Sequence, residues 1–288
     1  MTYCIYTDTD AAETTPDHVF PLSLGGCDAF CVPCETNFNS LMGDTVDGVL
    51  ANGPFVMFAR RNADARGHSK TDPVPVWKKT TLAGRPVQVA WAKEEVRVWD
   101  AKSRTVLSDS DVAGKEMTTK LSLDRFASIR FIARVALGGA YFIYGDSIRS
   151  AMDCNELRRL ITLDPAAARA DPALLNSTAS IADRFSGEIN TSADLMMYKA
   201  LCEIHDCSTL IVVPHDDGIS FHVSALGMYH GSISLPATTG QLPIDGLYDV
   251  GHVVWIDNKR LERASLRDFA GRFYKQMTGE NPPPPPTA

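Results

Sequence analysis

Asp17 and His18 stand side by side in Thr15-Pro16-Asp17-His18-Val19-Phe20-Pro21, and a second acid, Glu35, directly follows Cys31-Val32-Pro33-Cys34. Two acids and an imidazole in one compact segment suffice to hold a divalent metal ion and activate water. Adjacent side chains of an extended strand point to opposite faces, so Asp17 and His18 suit two jobs, one facing a metal and the other the water. Pro21 cannot donate to a sheet ladder and Gly25-Gly26 permits positive φ, so the strand is predicted to end there and turn back as a hairpin. Glu35 then opens a helical run, in which Asn39 lies four residues on along the same face.

The run Asp17-His18-Val19-Phe20-Pro21-Leu22-Ser23-Leu24-Gly25-Gly26, followed by Cys31-x-x-Cys34-Glu35, resembles the HNH endonuclease family. The branch in question reads Asp/Glu-His-h-h-Pro-x-x-Leu-Gly-Gly, with h apolar, then Cys-x-x-Cys and a polar metal-binding residue. The resemblance implies a ββα-metal module, a β-hairpin and helix wrapped around one metal ion. It implies Asp17 as a metal ligand and His18 as the general base. Glu35 takes the place usually held by His or Asn, and Asn39 orients a ligand or replaces it. Oxygen ligands of this kind suit Mg2+ or Mn2+. Many relatives also carry a four-thiolate zinc site. Here Cys4, Cys31 and Cys34 are the candidate Zn2+ ligands, and the fourth is open among Cys27, Asp8 and none. The middle Asn of the family is absent between Gly26 and Cys31, where Asp28 is the nearest polar substitute. Apart from the resemblance, an Asp-His pair is ordinary in a solvated loop, and Cys-x-x-Cys reads equally as a redox pair.

The chemistry this implies is phosphodiester hydrolysis. Asp17 and Glu35 would hold Mg2+ or Mn2+ against the scissile phosphate and the departing 3′ oxygen, while neutral His18 takes a proton from the attacking water. One metal centre cuts one strand, so nicking of DNA is expected unless two chains act together as a homodimer. DNA is favoured over RNA, although a nuclease for RNA or branched DNA would share every active-site residue. The alternative from a different class is a non-catalytic nucleic-acid- or protein-binding module with a degenerate zinc knuckle. By resemblance, host defence or mobile-element roles fit such proteins.

A formal net charge of −7 argues against an enveloping nucleic-acid surface. Arg60, Arg61, Arg66 and Lys70, with His68, Lys78 and Lys79, nevertheless form a local basic cluster just after the proposed metal helix, where a phosphate backbone would need it. The bland reading of that cluster is a solvated charged loop. Met1 to Asp10 lacks the positive and then apolar segments of a signal peptide, and the longest apolar stretch, around Ile129 to Tyr144, is broken by Arg134 and Gly138-Gly139. No membrane association is expected. Seven cysteines at irregular spacing fit a reducing, cytoplasmic setting better than a disulfide framework.

The 288 residues, 44% hydrophobic and 22% charged, predict an α+β protein: the ββα module over residues 1–60, then a larger mixed α/β domain with antiparallel sheet over 61–279. Residues 280–288, with five consecutive prolines, are expected to be an extended tail. Val74 to Trp77, Val87 to Trp91 and Val96 to Trp99 read as strands of a small sheet in which the tryptophans pack. Phe126, Ile129, Ala133, Ala136 and Leu137 recur at the helical period, and a further helix starts at Asp146-Ser147 and carries Leu157, Leu160 and Ile161. Strands are predicted over 200–204, 209–213, 219–226, 232–235 and 250–256, then an amphipathic helix over 266–277. No P-loop, dinucleotide glycine motif or nucleophile elbow occurs, which argues against nucleotide-driven and serine-hydrolase activities.

Overall fold

The proline and glycine punctuation around Asp17 shapes the first element group in the computed structural model, which describes residues 1–175, 178–185, 187, 192–204 and 206–281. A ribbon of β1 (Thr2–Cys4) and β2 (Thr9–Ala11) precedes a hairpin of β3 (Thr14–His18) and β4 (Cys31–Glu35). Beyond β3, Pro21 opens a short turn over Leu22–Leu24 that closes on Gly25 at φ 82°. A Cβ on Gly26 would fall 1.7 Å from the Phe20 carbonyl oxygen, so the chain can fold back only on glycine. Glu35 caps α1 (Thr36–Met42), which runs through a wide turn (Gly43–Asp47) into α2 (Gly48–Ala51) and, after Gly53-Pro54, into α3 (Pro54–Asn62).

A small antiparallel sheet follows in the order β7-β6-β5-β8, built from β5 (Val76–Leu82), β6 (Arg85–Trp91), β7 (Val96–Asp100) and β8 (Met117–Thr119), with α4 (Asp109–Val112) before β8. Alternate residues Leu82, Val87, Val89 and Val98 form its own core. Trp77 and Trp91 pack on each other and on Phe58 of α3, as the packing reading expects.

The rest of the chain is a six-stranded antiparallel sheet between helices. Asp124 accepts from the Ala127 amide and caps α5 (Arg125–Tyr144), followed by α6 (Ser147–Ala151), α7 (Cys154–Ile161) and α8 (Pro165–Ala170). Next come β9 (Ser180–Asp183), α9 (Ala193–Glu203), β10 (Ser208–Pro214), β11 (Gly218–Ala225), β12 (Met228–Pro236), β13 (His252–Asp257), β14 (Arg260–Ser265) and α10 (Leu266–Thr278). The strand order is β14-β13-β10-β11-β12-β9. Leu210, Val212, Phe221, Val223 and Ile233 face α5, whereas Ile211, Val213, Tyr229 and Val253 face α9 and α10. Covered on both faces, β10 and β11 are buried almost throughout.

The chain is α+β, as predicted, with two corrections to the element and domain plan. Residues 200–204, predicted as strand, end helix α9; the short apolar run Leu201-Cys202 faces the sheet from a helix that Ser192 caps. A boundary at residue 60 does not separate two cores. Val19, Phe20, Phe30, Met42, Val46 and Leu50 share one hydrophobic cluster with α5, α7 and a face of the large sheet. The expected second helix is divided into α6 and α7, and β9 and β14 were not foreseen. The five consecutive prolines lie outside the described residues. Helix α5 is long and apolar enough to cross a membrane by composition, but most of it is buried inside this fold.

Two small residues let α5 approach both neighbours. A Cβ on Gly138 would lie 2.2 Å from the Tyr6 hydroxyl oxygen, and one on Gly139 would lie 2.1 Å from a Leu210 methyl. Gly138→Ala should therefore lower stability despite gaining about 1 kcal/mol in helix propensity. Overpacking of roughly 1–3 kcal/mol exceeds that gain, and urea unfolding should show a lower midpoint; an unchanged or higher one contradicts this packing.

Candidate functional site

Register fixes which hairpin side chains meet. Asp17 pairs with Val32, Thr15 with Cys34, His18 with Cys31 and Thr14 with Glu35. Directly opposed residues share a face and neighbours alternate, so Asp17, Val32 and Cys34 turn inward while His18, Cys31 and Glu35 turn outward. Asp17 and His18 do point to opposite faces, as the strand reading requires.

Asp17 is buried, and an arginine from α5 meets it. Arg134 Nη2 donates to Asp17 Oδ1 and, at 3.1 Å, to the His18 carbonyl, while Nη1 donates to Asp47 Oδ1 at 3.1 Å. The guanidinium is 1% exposed and its Cζ lies 5.9 Å from the Tyr6 ring centroid. Burial works against this charge, but the Asp17 and Asp47 carboxylates more than offset it and hold Arg134 above its ordinary pKa. Asp47 responds the other way: desolvation outweighs the attraction of Arg134 and pushes its carboxyl up to about 6. Burial, and then the Asp17 carboxylate, raise the Tyr6 phenol well above its usual value.

Glu35 is elsewhere. It lies on the other face, opposite Thr14, about 10 Å along the strands from Asp17. Its two carboxylate oxygens accept from the Asn37 and Phe38 amides, each at 3.1 Å, as the cap of α1. The Asn39 amide donates to Thr15 Oγ1 at 2.9 Å and ties α1 to β3. The expected pairing of Asp17 and Glu35 on one Mg2+ or Mn2+ is therefore corrected: opposite strand faces keep them apart, and each has other work.

The residues present do not fit a divalent ion. Asp17 Oδ2 is buried without a hydrogen-bond partner among the described residues, which is one available oxygen. The nearest other charge is the guanidinium, which cannot shed its proton and repels a second cation. Among the described residues, no three His, Cys, Asp or Glu side chains are grouped to hold a metal.

The zinc expectation fails for the same geometric reason. A zinc knuckle needs its Cys-x-x-Cys in a tight turn, but β4 is extended from Cys31 to Glu35, so Cys31 and Cys34 project to opposite faces. Cys34 turns inward to Cys4, and a hydrogen bond from the Cys34 thiol, with others from Thr7, lowers Cys4 to about 5 and raises Cys34. Cys31 points its Sγ toward the Cys27 carbonyl instead, and burial pushes it up to about 11. Cys4 and Cys34 thus meet as one thiol pair, while Cys31 is held apart from them against the Cys27 backbone.

The outward face keeps a polar corner. His18 Nε2 lies 2.9 Å from Asp28 Oδ1, and the exposed His68 ring meets the His18 ring edge-on at 5.8 Å. Asp28, read as a substitute for the absent Asn, thus orients the imidazole.

The basic cluster divides likewise. Arg60 is buried and donates to the Ala65 and Ala51 carbonyls, so it is structural and not a phosphate contact. Arg61 donates to the Trp91 carbonyl and stands over Phe58. Arg66 is paired with Asp64 and Asp72, each at 2.9 Å, which leaves Lys70 exposed. The positive charge continues on the small sheet, where Lys78, Lys79, Lys93, Lys102, Arg104 and Lys115 are all exposed. Thirteen of the 28 Lys and Arg residues and eight of the 35 acids fall in residues 60–120, a local charge of +5 in a chain of −7.

Sequence reasoning missed Arg134 and Asp47, the two residues that complete the buried site. The available signal was Arg130 and Arg134 one turn apart in an otherwise apolar helix, since buried guanidinium groups require partners. Arg130 finds the Ile161 carbonyl at 2.7 Å and the Thr45 carbonyl at 3.0 Å. Searches of family models, curated proteins and solved structures found no match to this chain.

Removing the guanidinium strands two buried carboxylates, so Arg134→Met should cost about 3–5 kcal/mol at pH 7. Asp47→Asn, which leaves Asp17 and Arg134 as a balanced pair, should stay within about 1 kcal/mol. A carboxyl raised in the fold contributes stability that is fully present below its ordinary value of 3.8 and lost as pH rises through about 6. Urea unfolding across pH 4 to 7 should show that decline in the parent and not in Asp47→Asn; parallel curves contradict the assignment.

Proposed function

We propose that this chain binds nucleic acid without cutting it, through the basic surface of residues 60–120, and that its HNH-like hairpin and helix hold a protein guanidinium in place of a metal ion. Arg134 between Asp17 and Asp47 carries the reading. A hydrolytic centre needs an open coordination position beside the scissile phosphate; this charge is sealed from solvent and paired with Asp17 and Asp47, joining α5 to the hairpin. The partner reading is supported by the exposed lysines of β5 and its neighbours, a region of net positive charge in an acidic protein. Such a surface attracts a phosphate backbone with micromolar to submillimolar non-specific affinity, roughly 10⁻⁴–10⁻⁶ M, that weakens steeply with salt. DNA is favoured over RNA through the HNH resemblance alone. The seven cysteines, all free, fit a cytoplasmic setting.

A second reading, a metal-dependent HNH endonuclease with His18 as general base, is favoured by one observation: the outward imidazole is part-exposed and oriented by Asp28, with His68 beside it. It requires Asp17 to leave Arg134 before a metal could bind, against about 3–5 kcal/mol.

Fluorescence anisotropy with duplex DNA, single-stranded DNA and RNA, run beside nicking of supercoiled plasmid in EDTA, Mg2+ and Mn2+, separates the two. Binding that survives EDTA, falls with salt and weakens several-fold in the double variant Lys78→Glu/Lys79→Glu, with no nicking, is the expected result. Metal-dependent nicking that His18→Ala abolishes would establish the nuclease instead, and absence of binding to all three nucleic acids at low salt would sink both.

A further inference from the structure

A second site lies away from the hairpin, where the α2–α3 turn, the start of α5 and the end of β9 surround a small cleft, about 40 Å3 in volume, that opens to solvent. Four of its wall residues, Val49, Phe55, Leu123 and Phe185, are large apolar side chains left exposed. Its lining also includes His230, which is 1% exposed and has neither ring nitrogen hydrogen-bonded among the described residues. A neutral imidazole carries one donor and one acceptor, and leaving both unmet in the interior is costly. Backbone geometry puts it there. The β11–β12 ladder steps from Val223–Gly231 to Ser224–Tyr229, so His230 is the extra residue of a β-bulge, a device that re-aims side chains at sites. Its ring meets Phe131 of α5 edge-on, at 5.4 Å.

The charge in the cleft is positive. Arg184, whose amide donates to the His230 carbonyl, has no carboxylate within ion-pair distance among the described residues, and its guanidinium lies over the Phe185 ring at 5.5 Å. The acid in the lining, Asp124, is committed: one oxygen caps α5 and the other accepts from Arg169 at 3.0 Å.

We propose that this cleft binds a small carboxylate with an apolar body, the carboxylate on Arg184, a hydrogen bond to His230, and the hydrocarbon against Phe55, Leu123 and Phe185. The site is independent of the nucleic-acid reading. Benzoate and hexanoate are suitable probes, with hexanol as the uncharged comparison, followed by saturation-transfer NMR and calorimetry on the full chain. Both carboxylates should bind more tightly than hexanol. Arg184→Gln should weaken them roughly tenfold while leaving hexanol unchanged, the scale of a charge-assisted hydrogen bond. Phe55→Asp, at an exposed wall position, should abolish binding of all three without disturbing the fold, and covers the case in which Arg184→Gln is unstable. No carboxylate binding up to about 10 mM, far weaker than a millimolar site, or equal affinity in parent and Arg184→Gln, overturns the proposal.

Discussion

A single guanidinium holds three distant parts of this chain in one place. Arg134 rises from the middle of α5 and reaches the Asp17 carboxylate and the His18 carbonyl of the hairpin, and Asp47 in the turn after α1. Desolvation raises Asp47 although an arginine touches it, and the second carboxylate on the same cation, Asp17, adds to the rise. Such a triad contributes less through its own attraction than through what its surroundings demand: Arg134 cannot leave without stranding two carboxylates in the interior, whereas Asp47 can be neutralised and leave a balanced pair. Arg130, one turn earlier, repeats the arrangement with carbonyl partners and anchors the same turn at Thr45. Helix α5 is thus the shared wall of the hairpin and the large sheet, and its apolar faces and its two buried arginines serve the same docking.

The hairpin reads differently on its two faces. Inside, every polar group that could have ligated a metal is turned to α5 or to a neighbouring thiol. Outside, His18 and Asp28 remain near solvent with His68. The strand alternation that separates Asp17 from His18 also separates Asp17 from Glu35 and Cys31 from Cys34, so one geometric fact decides five residues at once.

How much was legible follows from the same alternation. The strand ending near Pro21, the glycine turn, the helix opening at Glu35 and the core helix of residues 125–144 were readable because local chemistry sets them: missing donors, positive φ and a helical apolar repeat. Strands β10, β11 and β13 were readable from dense apolar runs. Within the large sheet, the two unforeseen strands, β9 and β14, are its edges. Edge strands bury fewer side chains, and β14 carries Arg260, Glu262 and Arg263 among its six residues, so its apolar signal is faint. Asn258, at φ 48°, marked the turn before it. The run over 200–204 was too short for periodicity to tell helix from strand. Nothing local could announce the pairing of residue 134 with residues 17 and 47, because partner choice across such separations is decided by packing.

That separation in sequence has a consequence for how the protein is made. The hairpin is translated well before α5, yet the countercharge for Asp17 and Asp47 and the apolar cover for Phe20 and Phe30 arrive only with that helix, after the whole small sheet has been synthesised. On the ribosome the hairpin therefore emerges as an incomplete half, with acids hydrated and apolar side chains uncovered, and has to wait for later chain before it can settle.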